Sequence, residues 1–286
     1  MTYKAILAAV SGGTASAGAV EIACRLAQRF NAHLEGFHVR IDPVQIIASS
    51  IDGVGMPLPT EWIDEMTADA AATAAKSKDL FKAALARHDL AAKERAAKAP
   101  PAATWREEIG SASDLLARRA RFFDLTVLGR SERVAGSSYT DAIEQVLIQS
   151  GRPVLLAPAA APKVIGQTIA MGWNGSTEAV RALGATLPLL SAARTVTVVT
   201  VDARAEQDVT SVMEYLAWHG ITASHRGVSP VSGVGAGEQL LATARDIEAD
   251  LLVMGGYGRA PWREVVFGGA TRQILQSSIL PIVMAH

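Results

Sequence analysis

The sequence predicts an α/β protein built from two tandem doubly wound domains, each a five-stranded, mainly parallel sheet with helices on both faces. Three observations carry this expectation. The two halves of the 286-residue chain overlay with few gaps. Within each half, short apolar strands alternate with amphipathic helices, the pattern of parallel sheets joined by right-handed crossovers. Finally, the segment Thr195 to Val201 (TVTVVTV) is β-branched at nearly every position, which suits a strand buried on both faces.

The elements follow in order. Lys4 to Val10 is a strand that runs into Ser11, Gly12, Gly13 and Thr14; its counterpart, Thr168 to Trp173, runs into Asn174, Gly175, Ser176 and Thr177. Both read as a strand, a turn and a helix N-cap. The helix after the first turn aligns Val20, Cys24, Ala27 and Phe30, and its counterpart aligns Val180, Leu183, Leu187 and Leu190, so each is expected to press one face on a sheet. The strands His33 to Val39 and Thr195 to Val201 come next. The halves then diverge: residues 42–101 of the first carry a Pro/Gly-containing loop and an Ala-rich helix from about Glu61 to His88, where alanine signals helix propensity. Leu115 to Asp124 and Leu241 to Asp250 are helices that lead directly into the strands Leu125 to Gly129 and Leu251 to Gly255. Each half closes with a helix, Thr140 to Ser150 or Ala270 to Ser278, and a proline-led strand, Pro153 to Ala157 or Pro281 to Ala285. The small, polar-tailed stretch Ala159 to Lys163 marks the boundary, giving domains 1–160 and 165–286.

Composition narrows the function. Lys and Arg number 27 against 28 Asp and Glu, a net charge of -1, so no long-range field steers nucleic acid or an anionic membrane to the surface. Met1 to Val10 reads as a strand rather than a signal peptide, and no apolar run approaches the ~18 residues of a membrane span. A cytoplasmic protein is expected. Cys24 is the one cysteine; on a buried helix face it reads as a small core hydrophobe, not a nucleophile. The six histidines are scattered without metal spacing and read as surface or strand-edge residues.

In open parallel sheets, ligands sit outside the carboxyl ends of the strands where the strand order reverses. In the second half the fourth strand leads into Gly255, Gly256, Tyr257 and Gly258, and later Gly268, Gly269, Ala270 and Thr271 open a helix. Gly255, Gly258 and Gly268 stand as G-x2-G-x9-G. Glycines let backbone pass close to a ligand, and amides at a helix N-terminus suit phosphate. This arrangement resembles the ATP-binding loop of universal stress proteins, G-x2-G-x9-G followed by Ser or Thr, and the resemblance extends over essentially the whole chain.

The resemblance implies a strand order of 3-2-1-4-5 in each domain and a site for ATP or another adenine nucleotide in the second. Asn174 stands where the family usually has an Asp near the nucleoside, and Val201 stands where backbone meets adenine. Met254 and Gly255 would lie along the ribose, with Gly258, Gly268, Gly269 and Ala270 around the phosphates. The sequence departs from the family pattern in Asn174 and in Gly269, which replaces the Ser or Thr. Thr271 is the nearest hydroxyl, and losing one hydrogen bond costs ~1 kcal/mol. No metal is implied beyond the Mg that accompanies a nucleotide.

The first half has Gly129, Arg130, Ser131 and Glu132, then Thr140 and Asp141, at the equivalent places. Two of the three glycines are gone and two carboxylates face the phosphate positions, so this copy is not expected to bind nucleotide. Ser11 to Ser16 is similar to the S-G-G-x-D-S pyrophosphate loop of ATP pyrophosphatases, but Ala15 replaces the Asp, and a Gly-rich turn is the simpler reading. There is no nucleophile elbow and no Walker lysine. The leading expectation is a stress-response protein that holds an adenine nucleotide as sensor or regulator. The alternatives are an interaction scaffold that binds no nucleotide and a slow ATPase or adenylate-transferring enzyme. The resemblance further implies that the domains pair through their last strands, Val154 to Ala157 against Ile282 to Ala285, and that the protein forms a homodimer.

Overall fold

The computed structural model describes residues 2–40, 42, 60–93, 101–130, 138–201, 208–256 and 279–286. Their first half contains β1 (Ala5–Ala9), α1 (Thr14–Phe30), β2 (His33–Arg40), α2 (Thr60–Arg87), β3 (Ala102–Ile109), α3 (Ala112–Ala120), β4 (Leu125–Gly129), α4 (Ser138–Gln149) and β5 (Val154–Ala157). The second half contains β6 (Thr168–Gly172), α5 (Thr177–Ser191), β7 (Thr195–Thr200), α6 (Val209–Trp218), β8 (Ala223–Gly227), α7 (Ala236–Asp246), β9 (Leu251–Gly255) and β10 (Ile282–Ala285).

These strands form one ten-stranded sheet in the order β3-β2-β1-β4-β5-β10-β9-β6-β7-β8, so each half, taken from its outer edge inward, runs 3-2-1-4-5. Among the described strands every pairing is parallel except the central one, where β10 runs antiparallel to β5 with Val283 opposite Leu155. The pairing expected between the last strands is therefore present. It leaves neither β5 nor β10 as an open edge.

Successive side chains on a strand point to opposite faces. Ile6, Ala8 and Val10 join an apolar core with α1, α2, α5 and α6, whereas Leu7 and Ala9 join a second core with α3, α4 and α7. Ile169 and Met171 face the first core and Ala170 the second. Both cores run continuously through the central seam.

Corresponding features recur in the halves because the local sequence repeats. The Asp124 carboxylate accepts from the amides of Lys4 and Ala5 at 2.7 and 3.0 Å, while the Asp250 carboxylate accepts from Gly166, Gln167 and Thr168 at 2.6 to 3.2 Å. Each aspartate thus caps the start of the first strand of its half. α1 ends at Asn31, whose left-handed backbone (φ 51°) returns its amide to the Ala27 and Gln28 carbonyls.

The connection between the halves lies against α1. Arg29 donates to the carbonyls of Ile165 at 2.8 Å and Gly166 at 3.1 Å, and Arg25 donates to Pro162. A Cβ on Gly18 would collide with the Pro158 and Ala159 carbonyls, so only glycine admits that approach. The Tyr3 hydroxyl crosses to the α5 carbonyl of Ala185 at 2.9 Å.

Two expectations from the sequence fail here. Val180 is 53% exposed; the buried row of α5 is Ala179, Ala182, Leu183, Thr186, Leu187 and Leu190. His38 is neither a surface nor an edge residue. It is buried on β2, donates from Nδ1 to the Val10 carbonyl at 2.6 Å and stacks on Trp105 at 6.2 Å between ring centres. On its other side Trp105 packs against Phe81 of α2, which fills the space above Gly36. β3 and β8, which the sequence pattern does not single out, are the two edge strands. Cys24 is buried and unpaired, as expected of a core residue.

Candidate functional site

Strand order reverses between β6 and β9: the chain leaves β6 to form β7 on one side and returns as β9 on the other. A crevice at the carboxyl ends of these three strands is where an open α/β sheet takes a ligand. The structure brings four of the sequence-predicted residues to this place. Asn174 and Gly175 form the exposed turn after β6, Val201 follows β7 and is half-buried, and Met254 and Gly255 end β9, Met254 being buried. Gly258, Gly268, Gly269, Ala270 and Thr271 lie outside the described residues, as do Ser131 and Glu132 in the first half.

The turn is built from its own polar groups. The Ser176 amide donates to Asn174 Oδ1 at 3.1 Å, Gly175 takes the left-handed conformation (φ 70°), and Ser176 Oγ accepts from the Ala179 amide at 3.2 Å as N-cap of α5. Asn174 therefore has one defined task, closing this turn through its side-chain oxygen.

Glu178 fills the first turn of α5 with a negative charge. Partial burial opposes its ionisation, but its own amide and the hydroxyls of Thr177 and Ser176, with His286 nearby, outweigh burial and hold the carboxyl below the usual range. A carboxylate at a helix N-terminus gains from the positive end of the helix dipole. The amides of Glu178, Ala179 and Val180 at the start of α5 are thus engaged within the protein.

Gly255 fits the close approach of α5 to β9: a Cβ there would stand 2.6 Å from the Ala179 nitrogen and 2.7 Å from the Glu178 carbonyl carbon. Its bare Cα is required by packing. At Gly129, the equivalent place in the first half, a Cβ would collide with the Ala15 carbonyl of α1. Beyond Gly255, the Gly256 amide donates to Ala285 at 2.8 Å, and His286 Nδ1 lies 3.2 Å from the Gly256 carbonyl. Trp173 is buried beneath the turn, and its indole nitrogen has no hydrogen-bond partner among the described residues. Glu178, His286 and the Asp208 carboxylate beside Gly175 were not singled out from sequence; the Ser-Thr-Glu run after a turn glycine was the available signal for the first.

The equivalent turn of the first half is closed differently. The Ser11 amide and hydroxyl both meet Ser16 Oγ, at 2.8 and 2.7 Å. Gly12 (φ 76°) is buried under α2, so that a Cβ would stand 2.8 Å from Ser77 Oγ. Among the described residues, no group of three His, Cys, Asp or Glu side chains is placed to hold a metal ion, and no helix is long and apolar enough to cross a membrane.

Fold and turn together define a doubly wound α/β protein with a duplicated half. No family model matches the sequence, and no curated protein matches it. Among solved structures, a universal stress protein from Archaeoglobus fulgidus DSM 4304 aligns with a TM-score of 0.68 and 15% identity over 98% of this chain and 95% of its own. A functionally unknown protein from Pseudomonas aeruginosa PAO1 aligns with a TM-score of 0.55 at 11% identity, over 98% of this chain and 92% of its own. The chain therefore has the universal stress protein fold, and its length is compatible with the tandem two-domain form.

Proposed function

We propose that the protein is a tandem universal stress protein of the cytoplasm, with domains 1–160 and 165–286, whose second domain binds ATP or a related adenine nucleotide as sensor or regulator. The supporting observation is the asymmetry between the two equivalent turns: Gly12 is buried beneath α2, whereas Asn174 and Gly175 are exposed at the strand-order reversal. Among the described residues, a helix covers the turn of the first half and that of the second is exposed.

In this reading Asn174 flanks the nucleoside and the Val201 main chain meets the adenine. Gly255 offers only its main chain to the ribose beside Met254, since its Cα side packs on α5. Ser176 and Glu178 occupy donors of α5, so the phosphates, with any accompanying Mg, are assigned to Gly258, Gly268, Gly269, Ala270 and Thr271. The chain's own part is to bind and orient the nucleotide rather than to turn it over.

A second reading, an interaction scaffold without nucleotide, is favoured by the carboxylates of Glu178 and Asp208 beside the turn, which repel polyphosphate. Mass analysis of small molecules released on denaturation, with calorimetric ATP titration of wild type and Gly258→Glu, separates the two. ATP released from or bound by the wild type and lost in the variant supports the sensor. Absence of both ligand and binding heat at several temperatures overturns it in favour of the scaffold.

A further inference from the structure

α2 is seated along only its second half. Ala74, Ser77, Phe81, Ala84 and Leu85 are buried, whereas every residue from Thr60 to Thr73 is exposed or half-buried. At 1.5 Å per residue, about 20 Å of helix lies beyond the last buried residue. The apolar row does not stop where the contacts stop. Continued at spacings of three and four, it passes from Phe81, Ser77 and Ala74 to Ala70, Met66 and Ile63, with Trp62 at its margin. Trp62 is 60% and Met66 37% exposed. Seating α2 on the sheet requires none of these three side chains.

The charge on this projecting segment is one-sided. Glu61, Asp64, Glu65 and Asp69 flank the row, and no Lys, Arg or His occurs between residues 60 and 75; the basic residues begin at Lys76. The helix dipole accounts for Glu61, which is in the first turn. It does not account for Glu65 or Asp69, since the dipole effect fades within one turn.

We infer that the projecting half of α2 is a docking surface for a basic amphipathic helix of a partner protein, apolar row on apolar row, with the partner's Lys or Arg against the four carboxylates. Helix pairing of this kind reads an i, i+3, i+4, i+7 row, and flanking charges select the partner. A second copy of this chain fits poorly. Either orientation sets residues 60–73 against 60–73, carboxylate facing carboxylate, because Lys76, Lys78 and Lys82 lie on the half that is seated on the sheet. The same charge disfavours an anionic membrane. The inference is independent of nucleotide binding.

The test uses the full-length protein and a synthetic helical peptide of about 18 residues with Leu at the a and d positions and Lys beside them, titrated by calorimetry at low and moderate salt. One-to-one binding is expected, weakened about tenfold or more by the double variant Ile63→Lys/Met66→Lys. The variant Asp64→Asn/Glu65→Gln/Asp69→Asn, which keeps the apolar row, should lose affinity and most of the salt dependence. A peptide with Glu in place of Lys should not bind. Circular dichroism and thermal unfolding check that the variants remain folded. Absence of binding overturns the inference, as does equal binding by the variants. So does a wild-type dimer in sedimentation that Ile63→Lys/Met66→Lys converts to monomer, because the occupant would then be a second copy.

Discussion

Gly255 lies against the first turn of α5 so closely that a Cβ on it would stand 2.6 Å from the amide nitrogen of Ala179. Gly129 meets Ala15 of α1 in the same way. Since backbone rather than a flexible side chain would have to yield, Gly255→Ala and Gly129→Ala should each cost about 1–3 kcal/mol, the usual penalty of overpacking. Thermal unfolding measures it. Gly175→Ala, where φ is 70° and the nearest atom to a built Cβ is 3.4 Å away, should cost about 1 kcal/mol through backbone strain alone.

Asp250 and Asp124 cap the starts of β6 and β1, but Asp250 accepts from three backbone amides and Asp124 from two. Asp250 also lies close enough to Arg29 to favour its charge against the burial that lowers the guanidinium pKa. Removing the carboxylate leaves amides unpaired, at about 1–3 kcal/mol. Urea unfolding should therefore show a larger loss for Asp250→Ala than for Asp124→Ala, with the slope of the transition unchanged in both.

How much of this the sequence disclosed depended on burial. β7 and β9 are apolar on both faces and stood out; β3 and β8 lie at the sheet edges, where Arg106, Glu107, Ser224, His225 and Arg226 are exposed and blur any apolar run. On α5 the sequence row held at Leu183, Leu187 and Leu190 and failed only at Val180, whose place in the buried row is taken by Ala179, too small to mark a core face by itself. His38 is stacked on Trp105, more than 60 positions away in sequence, a contact no local pattern contains. That Asn174, Val201, Met254 and Gly255 lie at strand ends beside the strand-order reversal was legible because strand ends and turn glycines are local features. The self-capping of α5 by Glu178 was not, because it depends on which hydroxyls turn toward the carboxylate.

Cys24 is enclosed in the core among α1 neighbours. Burial first, then the nearby Glu21 carboxylate, pushes its thiol up to about 12. The thiolate is the reactive form. A thiol reagent at neutral pH should therefore modify the native protein only as fast as it opens, and should react at once in denaturant. Rapid labelling of the native protein, followed by absorbance, would contradict the packing of α1 on the sheet.

Glu21 of α1 ties that helix to the end of α2: its carboxylate meets His88 Nε2 at 2.7 Å and the Arg87 guanidinium at 2.9 Å. Partial burial raises the carboxyl pKa, but hydrogen bonds from His88 and Arg87 and their charges outweigh it, so the folded-state pKa lies below the usual value. A carboxyl whose pKa is depressed by folding binds protons more readily when unfolded. Its stabilising contribution is complete above the unfolded pKa of about 4.3 and is lost as pH falls through the lower folded value. Denaturant unfolding of the wild type should therefore lose stability as pH drops below about 4.5, and Glu21→Gln should flatten that acid limb while lowering stability at neutral pH. Arg87 is more than half exposed, so its share of the effect should be modest and shrink with added salt. An acid limb of equal slope in the variant would mean that other carboxylates set the acid response.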